Sequence, residues 1–477
     1  MASVSNVIQR IQSDLSKHMP EESILSACRA VGHVWRERQL GPVRTLHLFI
    51  LQVMACNTAM AHLSHLSGMV FSVAGFCNAR ARLPLAAIQT LLRDSSVAMR
   101  RAATANADKA ARKARAKGII HGTPDEMTGA TGGPLWHGLR AFLVDGSSTI
   151  TPDTPELQKS FGQPKNQKPG CGFPVPKILA LFDAFTGMVV EALGFPLYTH
   201  EQSKVCLLHP FLKLGDLLVG DRGLCSFVHL AMLRAQDVHA CIRCHQMQTV
   251  DFRPHRRNKD SSPKGDKVGR PTSQFVRRLG KHDQIVKWKR PALKPKWMTA
   301  EQWDAMPEWL EVREIRYTLA RKGQRTHVIT VATTLLDPML YPKDDVAALY
   351  DMRWRVETRF SELKTTLKMR KLKAKTEDGI LKELAVYCLV YNMVRAVAAA
   401  AALVQNVEPD RISFIDALRW LLCAAPGAPI PRLVVNPIRG NRHEPRVVKE
   451  RHASYPRMTR PRAELQKALK NQGKSVK

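Results

Sequence analysis

Two periodicities divide this chain. Up to about residue 105 apolar positions recur three and four apart, near Val7 to Lys17, Ser23 to Arg38, Val43 to Ser64 and Leu85 to Ala103, with no strand-like run. This predicts an all-helical N-terminal region. Within it, Val73-Ala-Gly75-Phe-Cys-Asn-Ala-Arg80-Ala-Arg82-Leu-Pro84 has the pattern of the turn and second helix of a helix-turn-helix. Arg80 and Arg82 would then be free to meet phosphates or base edges, a plain helical bundle being the alternative. Residues 106 to 138, rich in Lys, Arg, Gly and Thr, read as a basic linker.

After the linker the pattern changes to short apolar runs. Leu139 to Val144 predicts a buried strand that ends at Asp145, and Asp216 to Gly220 predicts another that ends at Asp221. Between them, Lys177 to Asp183 and Gly187 to Leu193 form a hairpin pattern around Ala184-Phe-Thr, followed by a helix from about His200 to Lys213. A helix from Ser226 to Ala235 and a strand from Val238 to His245 come next. In an α/β sheet, ligands sit at the C-terminal strand ends, where Asp145 and Asp221 fall. Asp183 also ends a strand and Asp153 lies just past the first, but acids in turns are normally caps. Asp216 precedes its strand and so belongs to the opposite edge.

From Gln246 to Asp344 a very basic loop, Arg253 to Lys281, precedes strand-like runs at Gln284 to Trp288, Leu310 to Tyr317 and His327 to Ala332. Helical periodicity then returns around 350 to 364, from Glu377 to Gln405 and near Arg411 to Cys423, before a basic, proline-punctuated tail. That tail, with Arg439, Arg442, Arg446, Lys449, Arg451, Arg457, Arg460 and Arg462, should stay loosely ordered until bound.

Charge narrows the partner. Lys and Arg number 73 against 41 Asp and Glu, a formal net charge of +32, which draws the chain to phosphate by counterion release. With 44% hydrophobic residues it can still bury a large core. The N-terminus lacks a secretory pattern, which predicts a cytoplasmic protein. Leu384 to Val404 is apolar but broken by Asn392 and Arg395, which suits a buried helix better than a membrane span. The ten cysteines form no disulfide framework. Cys241-Ile-Arg-Cys244-His245 has the form of a haem attachment site, yet haem needs export. Zinc needs further ligands, and His229, His239 and His255 supply no recognisable pattern. Neither haem nor zinc is expected.

The richest segment runs from Tyr350 to Lys364. At about 100° per residue, Tyr350, Arg353, Glu357 and Lys364 fall within an arc of about 60°. Leu349, Met352, Val356, Phe360, Leu363 and Leu367 make an apolar face beside it. A carboxylate flanked by two cations suits a metal-and-phosphate site, whereas an ordinary amphipathic helix with an Arg353–Glu357 pair is the plain alternative.

The spacing Tyr-x2-Arg-x3-Glu-x6-Lys resembles the signature of the DDE transposases of bacterial insertion sequences, in the branch called the IS-four family. Val144-Asp145-Gly-Ser and Val219-Gly-Asp221-Arg222-Gly resemble that family's first two acidic motifs, and Arg243, His245 and Gln246 match a further strand. Pro295-Lys-Trp297 through Trp303 resembles its tryptophan-bearing stretch. The alternative for Trp288, Trp297, Trp303 and Trp309 is packing. The resemblance implies a ribonuclease H-like core (139–245 and 345–370) interrupted by a β-rich insertion (246–344). A helical end-binding domain (1–105) and the linker (106–138) would precede it, and a helical, basic C-terminal region (371–477) would follow.

It implies that Asp145, Asp221 and Glu357 hold two Mg2+ ions, Mn2+ substituting, with Asp145 bridging. Cleavage and strand transfer would then proceed without a covalent protein–DNA intermediate. It further implies DNA contacts from Tyr350, Arg353, Lys364, Arg222, Arg243, Arg80, Arg82 and Trp297, the last receiving a flipped base. The expected partners are double-stranded transposon ends and target DNA, bound by a homodimer in the bacterial cytoplasm, at the nucleoid. A nuclease or resolvase of the same fold, or an inactive DNA-binding repressor, are the rival classes.

Overall fold

One mixed sheet of nine strands organises the chain, seen in a computed structural model that describes residues 20–36, 38–116, 135–245, 248, 250–253, 273–319, 327–425, 428–437 and 458–472. Among the described residues five helices come first: α1 (Glu21–Ala30), α2 (Pro42–Met54), α3 (Met60–Ser67), α4 (Val73–Arg82) and α5 (Leu85–Ala116). The turn before α4 is made at Gly68, which closes α3 in the left-handed conformation (φ 66°), and Ser72 caps α4 by accepting from the Gly75 N–H. Val73 to Arg82 is therefore helix throughout, with Gly75 in its first turn, and the turn expected at the start of this segment precedes it. Likewise α5 continues to Ala116, through part of the stretch expected as linker, because its Ala, Lys and Arg residues are good helix formers. The rest of that stretch up to residue 134 lies outside the described residues.

The sheet follows. Strand β1 (Arg140–Ser148) leads through α6 (Pro155–Phe161) to β2 (Lys177–Asp183) and β3 (Val189–Phe195). After α7 (Gln202–Val205) and a 3-10 turn containing Pro210 come β4 (Asp216–Gly220), α8 (Phe227–Arg234) and β5 (His239–Arg243). The single helix expected from 200 to 213 is thus split, since Pro210 has no N–H to donate. Then come β6 (Ser273–Gly280), β7 (Asp283–Lys289), α9 (Ala300–Asp304), β8 (Trp309–Leu319) and β9 (His327–Thr333). The part of the basic loop from Ser273 is strand rather than loop; residues 254–272 lie outside the described residues, as do Gln246 and His255.

Strand order is β3-β2-β1-β4-β5-β9-β8-β7-β6. β1 pairs antiparallel with β2 and parallel with β4, and β4 pairs parallel with β5. The four later strands do not form a separate sheet: β9 pairs antiparallel with β5 and extends the first one. Both faces are covered. Ala141 and Leu143 join one apolar cluster while Phe142 and Val144 join the other, so β1 reads as an unbroken apolar run.

The first cluster is roofed by α10 (Lys343–Asp351), α11 (Arg355–Ser361) and α12 (Glu377–Gln405). α12 is long and apolar enough to cross a membrane, but 89% of its most apolar window is buried inside the protein, which makes it the core helix. α13 (Phe414–Cys423) packs beside it. α14 (Arg462–Asn471) makes the described end of the tail helical, where the residue pattern indicated only loose order. Arg462 there pairs with Asp153, and its guanidinium stacks over Phe173. Residues 438–457, which carry most of the tail's arginines, lie outside the described residues.

Candidate active site

Register puts two carboxylates side by side. Val144 on β1 is paired with Gly220 on β4 in a parallel ladder, so the next residues, Asp145 and Asp221, stand together at the C-terminal edge. The Gly146 N–H donates to Asp145 Oδ1 at 2.8 Å. Burial pushes the Asp145 carboxyl up to about 6, against the pull of that N–H and of Arg353, with Asp221 and Glu201 adding like charge. Two hard carboxylates side by side suit a small divalent cation.

The Tyr350 to Lys364 segment covers this edge, but not as one α-helix. A 3-10 turn at Met352–Trp354 separates α10 from α11, and a π turn at Glu362–Thr366 follows. Residues advance by about 120° in the first and less than 100° in the second, so the narrow stripe read at a uniform 100° does not survive. Three of its four members nonetheless reach the strand ends. Tyr350 Oη lies 3.5 Å from Asp221 Oδ1, Arg353 3.4 Å from Asp145 Oδ2, and Lys364 Nζ donates to Ser147 Oγ at 3.1 Å.

Burial and Asp221 raise the Tyr350 phenol, while Arg353 and Arg243 pull it down; Lys364 is lowered by burial and by Arg370. Glu357 sits on α11, which packs against β1, but its side chain is exposed and makes no hydrogen bond or ion pair among the described residues. As they stand, no three His, Cys, Asp or Glu groups among the described residues are close enough to hold an ion. Asp145 and Asp221 fit the donor set of a metal site, and Glu357 is presented on the adjoining helix without being gathered to them.

α11 is held down by Arg359, whose guanidinium donates to the carbonyls of Asp183 (3.1 Å) and Ala184 (2.8 Å). The other acids considered from sequence have structural roles. Asp183 caps its turn by accepting from Phe185 and Thr186 N–H, and Asp216 takes both arms of Arg140. Asp153 accepts from Gln158 and Arg462.

The remaining candidates scatter. Arg222 and Arg243 are half-buried beside Asp221 and at the end of β5. Arg82 is exposed, whereas Arg80 turns inward, its guanidinium 3.6 Å over the Phe49 ring and hydrogen-bonded to Gln52. Trp297 is half-buried and stacks flat on His229 (5.3 Å, 8°), while Trp288 is fully buried and donates to Glu314. Cys241 and Cys244 point into opposite apolar clusters, as alternation in a strand requires, and cannot act as one ligand pair.

Sequence reasoning missed Glu201. A Cβ built on Gly146 would fall 2.8 Å from Glu201 Oε1, so this carboxylate lies against the backbone next to Asp145, with Lys177 4.0 Å away. The glycine after Asp145 was the available signal.

The profile of the transposase DDE domain matches residues 136–393, more than half of the chain. The chain belongs to that family. This transposase is 28% identical over 349 residues to the transposase InsG for insertion sequence element IS4 of Escherichia coli (strain K12), covering 69% of this chain and 71% of that one. It is 33% identical over 78 residues to the putative transposase InsZ of the same organism, 16% of this chain and 25% of that one. Among solved structures, the cryo-EM piggyBac transposase synaptic complex with hairpin DNA aligns at 10% identity and a TM-score of 0.37, over 88% of this chain and 81% of that one, too distant to carry an argument. The DDE transposase family cuts DNA strands and joins them, and the resemblance drawn from the motifs is thereby borne out.

Proposed function

We propose that Asp145, Asp221 and Glu357 are the acidic triad of this transposase and that they hold two Mg2+ ions, which Mn2+ replaces. The observation that carries this reading is the paired register of β1 and β4, which brings two acids to one edge beneath Arg353 and Tyr350. The order β3-β2-β1-β4-β5, with the first three antiparallel and the last two parallel to β1, supports a ribonuclease H-like core at 139–245 and 345–370. Residues 246–344 are then its β-rich insertion; the helical domain 1–105 precedes the core, its last helix running on to Ala116 into the linker 106–138, and the C-terminal region 371–477 follows.

When bound, the two ions activate the attacking oxygen and stabilise the leaving one in an in-line displacement. The chain's own groups do the rest. Arg353, buried against Asp145, and Lys364, anchored on Ser147, hold phosphates beside the cut. Tyr350, kept protonated by burial, donates to a backbone oxygen. Arg222 and Arg243 line the same edge, Trp297 borders the DNA from the insertion, and Arg82 rather than inward-turned Arg80 makes the contact from α4. Water attacks first at the element's end, and the freed 3′-hydroxyl then attacks target DNA. The substrate is double-stranded DNA, taken in the cytoplasm by a homodimer on paired ends.

Replacing Asp145, Asp221 or Glu357 by Ala should abolish Mg2+-dependent nicking of end-bearing DNA while leaving end binding nearly intact, because affinity comes mainly from Lys and Arg. A Glu357→Ala protein that still nicks would refute its place in the triad.

A further inference from the structure

Away from the strand ends, a cavity of about 250 Å3 opens between the loop joining α1 to α2 and the C-terminal end of α4. Its floor is apolar, made by Leu40, Pro42 and Leu83, and Trp35 stands in its wall with His33 stacked on it (5.7 Å, 27°). Its rim is cationic: Arg36, Arg38 and Arg82 are all exposed. Among the described residues, no acid lines it. His33 is lowered by burial and then by Arg82 and Lys382, which agrees with a positive field there. A planar aromatic over an apolar floor, ringed by guanidinium groups, matches a base with phosphates on either side. Paired DNA presents its bases edge-on and stacked, so a base can lie flat against Trp35 in this cavity only when it is unpaired.

We propose that this pocket binds an unpaired nucleotide of the DNA substrate, the base against Trp35 and the apolar floor, the flanking phosphates on Arg36, Arg38 and Arg82. The proposal rests on the reading of the chain as a DNA-acting transposase and adds a second nucleotide site that shares no residue with the acidic one. Three cations on the rim exceed what one free monophosphate needs and suit successive phosphates of a strand.

The test uses the full-length protein and two short duplexes of the same arbitrary sequence, one fully paired and one carrying a single extrahelical 2-aminopurine. The wild type should bind the second about tenfold more tightly, the worth of one stacked base, and quench its fluorescence. Trp35→Ala should lose the quenching and the preference. Arg36→Gln/Arg38→Gln, altered only at exposed positions, should lose the preference while keeping a wild-type melting profile. Equal binding of the two duplexes by the wild type overturns the proposal, as does a preference that survives in both variants. Displacement of the bulged duplex by micromolar deoxyadenosine monophosphate would overturn the assignment to a DNA strand. Failure to bind even the paired duplex would instead count against the DNA-acting reading itself.

Discussion

Asp145 is where residue-scale energetics are most exposed. Its carboxyl, at about 6 in the folded protein against 3.8 unperturbed, is raised chiefly by burial. Below about pH 4 both states hold the proton, but between about 4 and 6 the folded state keeps a proton that the unfolded chain releases, so stability falls as pH rises through that window. By pH 7.5 the metal-free protein carries a penalty on the order of 2 kcal/mol, after allowance for partial exposure. Asp145→Asn keeps the acceptor for the Gly146 N–H and removes the charge. In chelator at pH 7.5 it should therefore melt about 2 °C higher than the wild type, with the gap closing near pH 4. Thermal melts at the two pH values check this, and a variant less stable at both would show that the charge is compensated. That an acid sits here was legible from sequence, because an apolar run ending in Asp needs only local pattern. That Glu201 lies against Gly146 was not, since the glycine signals only that something approaches closely, and the two residues are far apart in the chain and on different elements.

At the scale of elements, the long helix α12 was closely legible, expected from roughly Glu377 to Gln405, because a long apolar, alanine-rich run is a local signal. The segment carrying Glu357 was not. Its break into α, 3-10 and π turns answers to tertiary anchors, namely Tyr350 near Asp221, Lys364 on Ser147 and Arg359 on the hairpin carbonyls. No single-sequence period contains those anchors. Arg359 is 2% exposed and donates to two carbonyls, so its removal takes a buried cationic donor from both, while Asp410 keeps Arg395 and Arg355. Arg359→Ala should cost about 3 kcal/mol in urea unfolding. It should also lower nicking much more than DNA binding, because α11 loses its anchor on the β2–β3 hairpin and with it the placement of Glu357. Nicking equal to wild type in a protein of reduced urea midpoint would show that α11 is held by its apolar face alone.

At the scale of the whole molecule, β7, β8 and β9 were legible from their apolar runs, whereas β6, hidden in the basic stretch, and the pairing of all four were not. Whether they pair among themselves or extend an existing edge depends on register between distant residues, and here Arg243 meets Val331 so that one sheet runs throughout. Charge was legible at this scale from the start, since +32 needs no fold to be counted, but not which cations are neutralised internally. Arg93 pairs with Glu191, Arg140 with Asp216, Arg395 with Asp410 and Arg462 with Asp153, so these contribute little to a DNA track. Neutralised and available cations should differ in their salt response. Deleting the tail from Asn441 onward should weaken DNA binding and flatten the dependence of log K on log salt by about 0.9 for each phosphate that the protein no longer neutralises. Arg462→Ala alone, whose charge Asp153 already answers, should leave that slope unchanged. Titrations of labelled duplex across a range of salt concentrations read both slopes, and a tail deletion with the wild-type slope would place the tail off the DNA, leaving the long-range attraction to the cations of the helical domain and the strand ends.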